Sequence, residues 1–182
     1  ERSIRYGGGC GAAFNIIVAS GPNSSYPHHI TSRRIIRNHE PLLIDIGTDY
    51  QGYKSDLTRV FFLGRINVLA RRIYDIILKA NSLAISAVKP GAPIKDIDAL
   101  ARGYIAERGY AEFFGHGIGH GIGLAVHEAP RISGKENTCL LPGMVFSIEP
   151  AIYLPGKFGI RIEDTVLVTK KGCEVLSGSL YK

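Results

Sequence analysis

Ser147-Ile148-Glu149, a turn, and Ile160-Arg161-Ile162-Glu163-Asp164-Thr165 repeat the form of an earlier stretch: Leu43-Ile44-Asp45, a turn, and Ser55-Asp56-Leu57-Thr58-Arg59. Each copy reads as a hairpin with one carboxylate on either arm. The carboxylates stand 11 residues apart in the first copy (45 to 56) and 14 in the second (149 to 163). Phe146 and Ile148 precede Glu149, and Ile160 and Ile162 precede Glu163, so both faces of these strands look covered. An acid among such residues is costly to bury unpaired. Four acids in matching places suggest a shared partner, and a cation is the economical one; the bland alternative is four hairpin acids on solvent faces. Side chains alternate along a strand, so Arg161, Glu163 and Thr165 share a face, as do Asp56 and Thr58. Arg161 then points into the same site, where it can hold a carboxylate by paired hydrogen bonds.

The flanking segments supply the rest of the fold. Residues 12–20 are a short β-branched run that reads as a buried strand. The turn-rich Gly21-Pro22-Asn23-Ser24-Ser25-Tyr26-Pro27 then delivers His28 and His29. Strands are expected at 41–46, 55–63, 143–153 and 158–169, with a short edge strand at 173–176. Apolar residues at Leu69, Ile73, Ile76, Ile77, Ala80, Leu83, Ala84 and Ala87 have helical spacing over 67–89. Pro93 suits the first turn of a second helix, which Gly109 closes. No linker interrupts the chain, so the pattern predicts one α+β domain over residues 1–182.

Composition narrows the function. The chain has 182 residues, 45% of them hydrophobic and 21% charged, and a net charge of +6. Nothing approaches the ~18 apolar residues of a membrane span. Three scattered cysteines with no Cys-x-x-Cys argue against a disulfide scaffold or thiolate zinc and point to a reducing cytoplasm. The basic residues are dispersed rather than striped with aromatics, which disfavours nucleic acid. Glycine, 22 residues against a usual ~7%, is in excess and concentrated at 7–11 and 115–123.

The second glycine cluster holds His116 and His120, with His127 close behind. Glycine lets backbone pack closely, and glycines interleaved with histidines shape a site. They argue against a helical His-x-x-x-His pair. Other motifs fail: His127-Glu128 is no His-Glu-x-x-His, the Gly-x-Gly repeats lack a dinucleotide fingerprint, and there is no Gly-x-Ser-x-Gly elbow or phosphate loop.

At these residues the sequence resembles the pita-bread (M24) metallopeptidases: aminopeptidase P, proline dipeptidase (prolidase) and, more distantly, methionine aminopeptidase. The matching stretches are Ile17-Val18-Ala19-Ser20-Gly21-Pro22-Asn23 with His28, Asp45-Ile46-Gly47 with Asp56-Leu57-Thr58-Arg59, Gly117-Ile118-Gly119-His120-Gly121-Ile122-Gly123-Leu124 with Val126-His127-Glu128, Gly143-Met144-Val145-Phe146-Ser147-Ile148-Glu149-Pro150, and Gly159-Ile160-Arg161-Ile162-Glu163-Asp164. They run in family order along nearly the whole chain. The short Glu149–Glu163 interval and Ser20-Gly21-Pro22-Asn23 favour the Xaa-Pro-cleaving branch.

The resemblance implies a pita-bread fold with a pseudo-twofold repeat. It also implies five ligands for two divalent ions. Asp45 would bind one ion, His120 and Glu149 the other, and Asp56 and Glu163 would bridge them. Four carboxylates balance two M²⁺ ions, and oxygen-rich ligation with one imidazole suits Mn²⁺, with Co²⁺ or Zn²⁺ as alternatives. The implied reaction is hydrolysis of Xaa-Pro bonds by a metal-bridging hydroxide, with Glu149 as proton shuttle and His127 as donor to the substrate carbonyl. His28 and His116 would shape the proline pocket, and Arg161 would orient or damp negative charge. Substrates are then short peptides with proline second. Competing readings are methionine aminopeptidase, metal-free creatine-type hydrolysis and a binding module of the same fold; the intact ligand set disfavours the last two. The family carries a helical pair before its first hairpin to match 68–88 and 93–108, and nothing comparable precedes Phe14. The expectation is a catalytic domain lacking that pair and any N-terminal domain, with an uncovered sheet face that favours a homodimer.

Overall fold

The computed structural model describes residues 1–182. The apolar spacing at 69–84 becomes α2 (Val68–Ser86), whose Ala70, Ile73, Ile77, Ala80 and Ala84 are fully buried. Asn67 starts it: its side chain accepts hydrogen bonds from the amides of Leu69 and Ala70, the usual way a first turn is capped. α3 (Ile94–Ala106) follows, with Pro93 as the cap residue itself. Gly109, in the left-handed region at φ 82°, lies just past its end. A short helix α1 (Arg2–Tyr6) opens the chain. No helix is long and apolar enough to cross a membrane.

The helices pack on antiparallel strands in four small sheets. β1 (Gly11–Ala12), β4 (Thr48–Tyr50) and β5 (Tyr53–Lys54) form a ribbon; β2 (Ile17–Ser20), β3 (Pro41–Ile46) and β6 (Leu57–Phe62) form a three-stranded sheet. β7 (Gly119–Gly121), β8 (Glu128–Ile132), β9 (Val145–Ile148), β12 (Asp164–Val168) and β13 (Cys173–Val175) make a five-stranded sheet, and β10 (Ala151–Leu154) pairs with β11 (Phe158–Arg161). One apolar cluster, including Leu43, Ile77, Phe146 and Ile160, runs through the helices and the main sheets. The arrangement is the expected α+β one.

Three strands differ from their sequence reading, and the differences build the site. The run 12–20 is two strands. Ala12 pairs with Thr48 and Ile17 with Asp45; two more residues lie between Ala12 and Ile17 than between their partners, so the chain must bulge at 13–16. Gly47 makes room for that bulge, since a Cβ there would strike Phe14 and the Ser55 carbonyl. The turn 47–56 is the β4–β5 ribbon rather than a plain loop.

The runs 143–153 and 158–169 each split in the middle, at the same level. Ile148 pairs with Asp164 in one sheet, and Ala151 with Arg161 in another. Glu149-Pro150 and Ile162-Glu163 lie between. Pro150 has no N–H to continue a ladder. Both glutamates turn their amides away from the hairpin: Glu149 N–H donates to the Ile118 carbonyl at 2.7 Å and Glu163 N–H to the Thr58 carbonyl at 3.2 Å. Asn81, fully buried on α2, supports the split from behind. Its Nδ2 donates to the carbonyls of Ile148 (3.0 Å) and Ile162 (3.5 Å), the residues just before the two glutamates.

The sheet β2–β3–β6 buries Ile17, Ala19, Leu43, Thr58 and Val60 on one face. On the other, Val18, Leu42, Ile44 and Ile46 are half-buried and Phe61 is exposed.

Asn81→Leu keeps the volume and removes both donors. Leaving buried carbonyls unpaired is expected to cost about 2 kcal/mol or more, a fall in Tm of roughly 4–8 °C for a chain of this size. Thermal unfolding followed by circular dichroism checks this; an unchanged Tm would show that the split does not need Asn81.

Candidate metal centre

Asp45 sits on β3, opposite Thr58 of β6. Asp56 immediately precedes β6, and Glu149 and Glu163 occupy the two strand breaks. His120 is the middle residue of β7, held close to β9 because Gly119 has no Cβ to meet the Ser147 carbonyl. Ser147 in turn receives the His120 amide on its hydroxyl at 3.1 Å. These five side chains, with His28, His116, His127 and Arg161, all line one cavity of about 1400 Å³. His28 and His127 are at its exposed rim; Asp45, Asp56, Arg161 and Glu163 are buried.

Distances within the cluster are short. Ligand atoms of Asp56, His120 and Glu163 all lie within 4.8 Å of one another. His120 Nε2 is 3.3 Å from Glu149 Oε1 and 3.7 Å from Asp56 Oδ2. Its Nδ1 faces the Gly121 carbonyl at 3.2 Å, which favours a proton on Nδ1 and leaves Nε2 as the nitrogen that faces the carboxylates. Arg161 is the fixed counter-charge. Its Nη2 donates to Asp45 Oδ2 at 2.5 Å, Nε to Thr58 Oγ1 at 3.0 Å, and Nη1 to the Tyr153 hydroxyl at 2.7 Å and the Pro27 carbonyl at 3.2 Å. Thr58 passes its own proton to Glu163 Oε2 at 2.7 Å.

One guanidinium cannot neutralise four carboxylates. Asp45 Oδ1, Asp56 Oδ1 and Glu163 Oε1 are buried without any hydrogen-bond partner. Buried polar atoms are nearly always paired, so three orphaned oxygens beside an imidazole nitrogen fit a cation site. The charges respond accordingly. Burial, then the neighbouring Asp45, pushes the Asp56 carboxyl up to about 8. Burial and the Asp56, Glu149 and Asp45 charges hold Glu163 well above the carboxylate range. Burial also opposes ionisation of Glu149, but its hydrogen bond to His120 and the nearby His116 and Arg161 win, and its pKa falls. For His120 burial is outweighed by the Glu149 hydrogen bond and charge, so its pKa rises. His116 and His127 are lowered, chiefly by burial.

Among the lining residues that were not singled out from the sequence are Tyr153 and Arg131. Tyr153 lies on β10 and joins Arg161 to His116, whose Nε2 is 3.2 Å from its hydroxyl. Plain alternation from Glu149 puts Tyr153 on the same face of the run 143–153, so its place in the cavity was open to a sequence reading. Arg131 is the cross-strand partner of His120, a pairing that the irregular β7–β8 connection hides.

Asp56 and Glu163, raised above an unfolded carboxyl value of about 4, contribute stability at low pH that is lost as the pH rises through their folded values. His120 acts in the same sense. His116 and His127 act oppositely, but only below about pH 6.5, the free histidine value. From about pH 6.5 to 8.5 the metal-free protein is therefore expected to lose Tm, and a saturating divalent cation to remove that loss. Calorimetry in EDTA and in Mn²⁺ checks it; a Tm that climbs with pH in EDTA would contradict the charge assignment.

The model of metallopeptidase family M24 matches residues 1–170. A Xaa-Pro dipeptidase of Pyrococcus horikoshii is 47% identical over 165 residues, which is 91% of this chain and 47% of that protein. The prolidase structure from Pyrococcus furiosus superposes with a TM-score of 0.93 at 44% identity, covering 95% of this chain and 51% of that one. The X-Pro aminopeptidase structure from Thermotoga maritima superposes at 0.94 and 44%, covering 97% and 50%. The chain thus spans about half the length of the curated relatives it matches. A family match over almost its whole length, with a shared fold at this identity, means that the chain belongs to metallopeptidase family M24.

Proposed function

We propose that the protein hydrolyses the peptide bond before proline in short Xaa-Pro peptides, using two divalent cations. The observation that carries this reading is the set of orphaned oxygens on Asp45, Asp56 and Glu163 facing His120 Nε2. Similarity to proteins named Xaa-Pro dipeptidase and X-Pro aminopeptidase supports the substrate class. In this reading Asp45 would hold one ion and His120 and Glu149 the other, with Asp56 and Glu163 shared between them. Hard oxygen donors with one imidazole suit Mn²⁺, with Co²⁺ or Zn²⁺ as alternatives. Such a pair, when bound, lowers the pKa of a water and polarises the scissile carbonyl.

The chain's own residues supply the rest. Glu149, its pKa lowered beside His120 and Arg161, is ionised at neutral pH and takes a proton for delivery to the leaving amine. His127, lowered by burial and by His120, is neutral, so it can donate one hydrogen bond to a carbonyl oxygen without adding charge. Its ring centroid lies 4.1 Å from that of His120, which places it over the ligand cluster. Arg161 holds Asp45 and damps the surplus negative charge. His116 and His28 flank the cavity and shape the room for a proline ring.

A binding module of the same fold is the rival reading. It has no use for four carboxylates kept in one cavity at the cost of raising Asp56 and Glu163. Unpaired Cys10, Cys139 and Cys173 accord with residence in a reducing cytoplasm, and the half-buried face of β2–β3–β6, with Phe61 exposed, accords with a homodimer.

Hydrolysis of Xaa-Pro against Xaa-Pro-Xaa peptides by the intact protein in Mn²⁺ is the direct test. Cleavage of neither would refute the reading, and the preferred length separates dipeptidase from aminopeptidase. Two variants divide the roles. His127→Ala is expected to lower kcat on the order of 10²-fold, as loss of a transition-state hydrogen bond does, with metal content near wild type. Asp56→Ala is expected to lose metal, measured by atomic emission. If His127→Ala loses metal and keeps its turnover per bound ion, the two roles are reversed.

A further inference from the structure

Asp98 and Arg102 stand one turn apart on α3. Arg102 Nε and Nη2 each donate to one oxygen of Asp98 at 2.8 Å, and Asp98 is 1% exposed. Helix pairs of this spacing are normally solvent-borne and worth a few tenths of a kcal/mol; Arg71–Asp75 on α2, with both partners exposed, is such a pair. Arg102 does more. Its Nη1 donates to the Phe114 carbonyl at 3.0 Å and its Nη2 to the His116 carbonyl at 2.7 Å. Asp98 Oδ1 accepts from the Ile118 amide at 3.2 Å. The guanidinium also lies 4.4 Å above the Phe114 ring.

The backbone groups of residues 114, 116 and 118 are thus paired at every second residue, as an adjacent strand would pair them. The partner is instead two side chains. The segment needs one, because it precedes β7 and no strand pairs with it before Gly119. Gly115 and Gly117 offer no side chains to fix its path. That path sets two members of the site. His116 hangs from it into the cavity, edge-on to Phe114 with ring centroids 5.1 Å apart and with Nε2 at the Tyr153 hydroxyl. The Ile118 carbonyl, one peptide unit beyond, receives the Glu149 amide.

We propose that Asp98 and Arg102 are positioning residues of the active site: together they replace a β-strand edge, fixing the depth of His116 in the cavity and, through Ile118, the aim of Glu149. The catalytic part rests on the peptidase reading above; the positioning part does not. Lysine cannot replace Arg102, because an ammonium lacks the planar fork that reaches one carboxylate and two carbonyls at once.

The test uses the intact protein with Arg102→Lys, Arg102→Met and Asp98→Asn, and Arg71→Met as the helix-pair control. Histidine ring resonances of the metal-free, ¹³C/¹⁵N-histidine-labelled protein report on His116, assigned by its disappearance in His116→Gln. Steady-state kinetics on an Xaa-Pro dipeptide in saturating Mn²⁺ report on catalysis. Arg102→Lys and Asp98→Asn are expected to shift the His116 resonances while those of the distant His39 stay in place. Both should lower kcat by on the order of 10–10²-fold, as displacement of site groups by about an ångström does, with bound Mn²⁺ near wild type. Arg71→Met should change neither. If Arg102→Met does not fold, the two milder variants carry the test. Unmoved His116 resonances in folded Arg102→Lys and Asp98→Asn would overturn the proposal, and so would wild-type kcat on a substrate that the parent cleaves. A parent that cleaves no Xaa-Pro peptide would refute the peptidase reading, while the His116 resonances still decide the positioning.

Discussion

Four carboxylates, Asp45, Asp56, Glu149 and Glu163, crowd into one cluster in which Arg161 is the one arginine that bonds a member, and most of the structure answers that imbalance. In low dielectric, like charges at these separations cannot all stay ionised. The protein alone answers this by favouring protons on Asp56 and Glu163 and by raising the pKa of His120. Divalent cations resolve it differently, by supplying the charge that the side chains lack. Arg161 covers only the Asp45 side of the cluster, through Asp45 Oδ2 and, by way of Thr58, Glu163 Oε2. The remaining oxygens of those residues are the ones left open toward the cavity.

Delivering the charges into one place requires the backbone to break its own pairing. A strand that continued through Glu149 would bond its amide within the hairpin and alternate its side chains without interruption. By leaving one sheet and entering another at Glu149-Pro150 and Ile162-Glu163, both arms free their amides for other segments. Those segments are the histidine loop at Ile118 and the opposite hairpin at Thr58. The interruption is therefore what joins the two hairpins. Asn81 answers the carbonyls on the other side of the same break, so α2 belongs to the site although it contributes nothing to the cavity wall.

The carboxylates and histidines of the site were legible in the sequence because acids among Ile and Phe, and histidines among glycines, contradict their surroundings. The helices were legible for the opposite reason: Ile73, Ile76, Ile77 and Ala80 agree with one period. The strand breaks were not legible. Ile148, Ile152, Ile160 and Ile162 are buried on both sides of each break, so the apolar pattern continues straight across it and carries no mark. Arg131 was missed because β7 and β8 shift register next to its pairing with His120; Tyr153 shares the face of Glu149 by plain alternation but offered no carboxylate or imidazole to mark it. The Arg102 clamp was hidden too, because an i, i+4 pair in sequence looks the same whether it faces water or a backbone.

These contacts explain why the site cannot belong to one half of the repeat. The Glu163 amide is held by the first hairpin at Thr58, and Arg161 of the second hairpin holds Asp45 of the first. His120 and Glu149 hold each other through Ser147 and Ile118. Arg59, from the first hairpin, completes the exchange by donating to the Glu163 carbonyl and, at 3.1 Å, to Asp164. Asp45, His120, Glu149 and Glu163 are thus each fixed by a residue from a segment remote in sequence. A change that loosens one segment withdraws support from a ligand on another, so geometry at the cavity and cooperativity of the fold are one property. The placement of these side chains follows from this reciprocity rather than from the stiffness of any single strand.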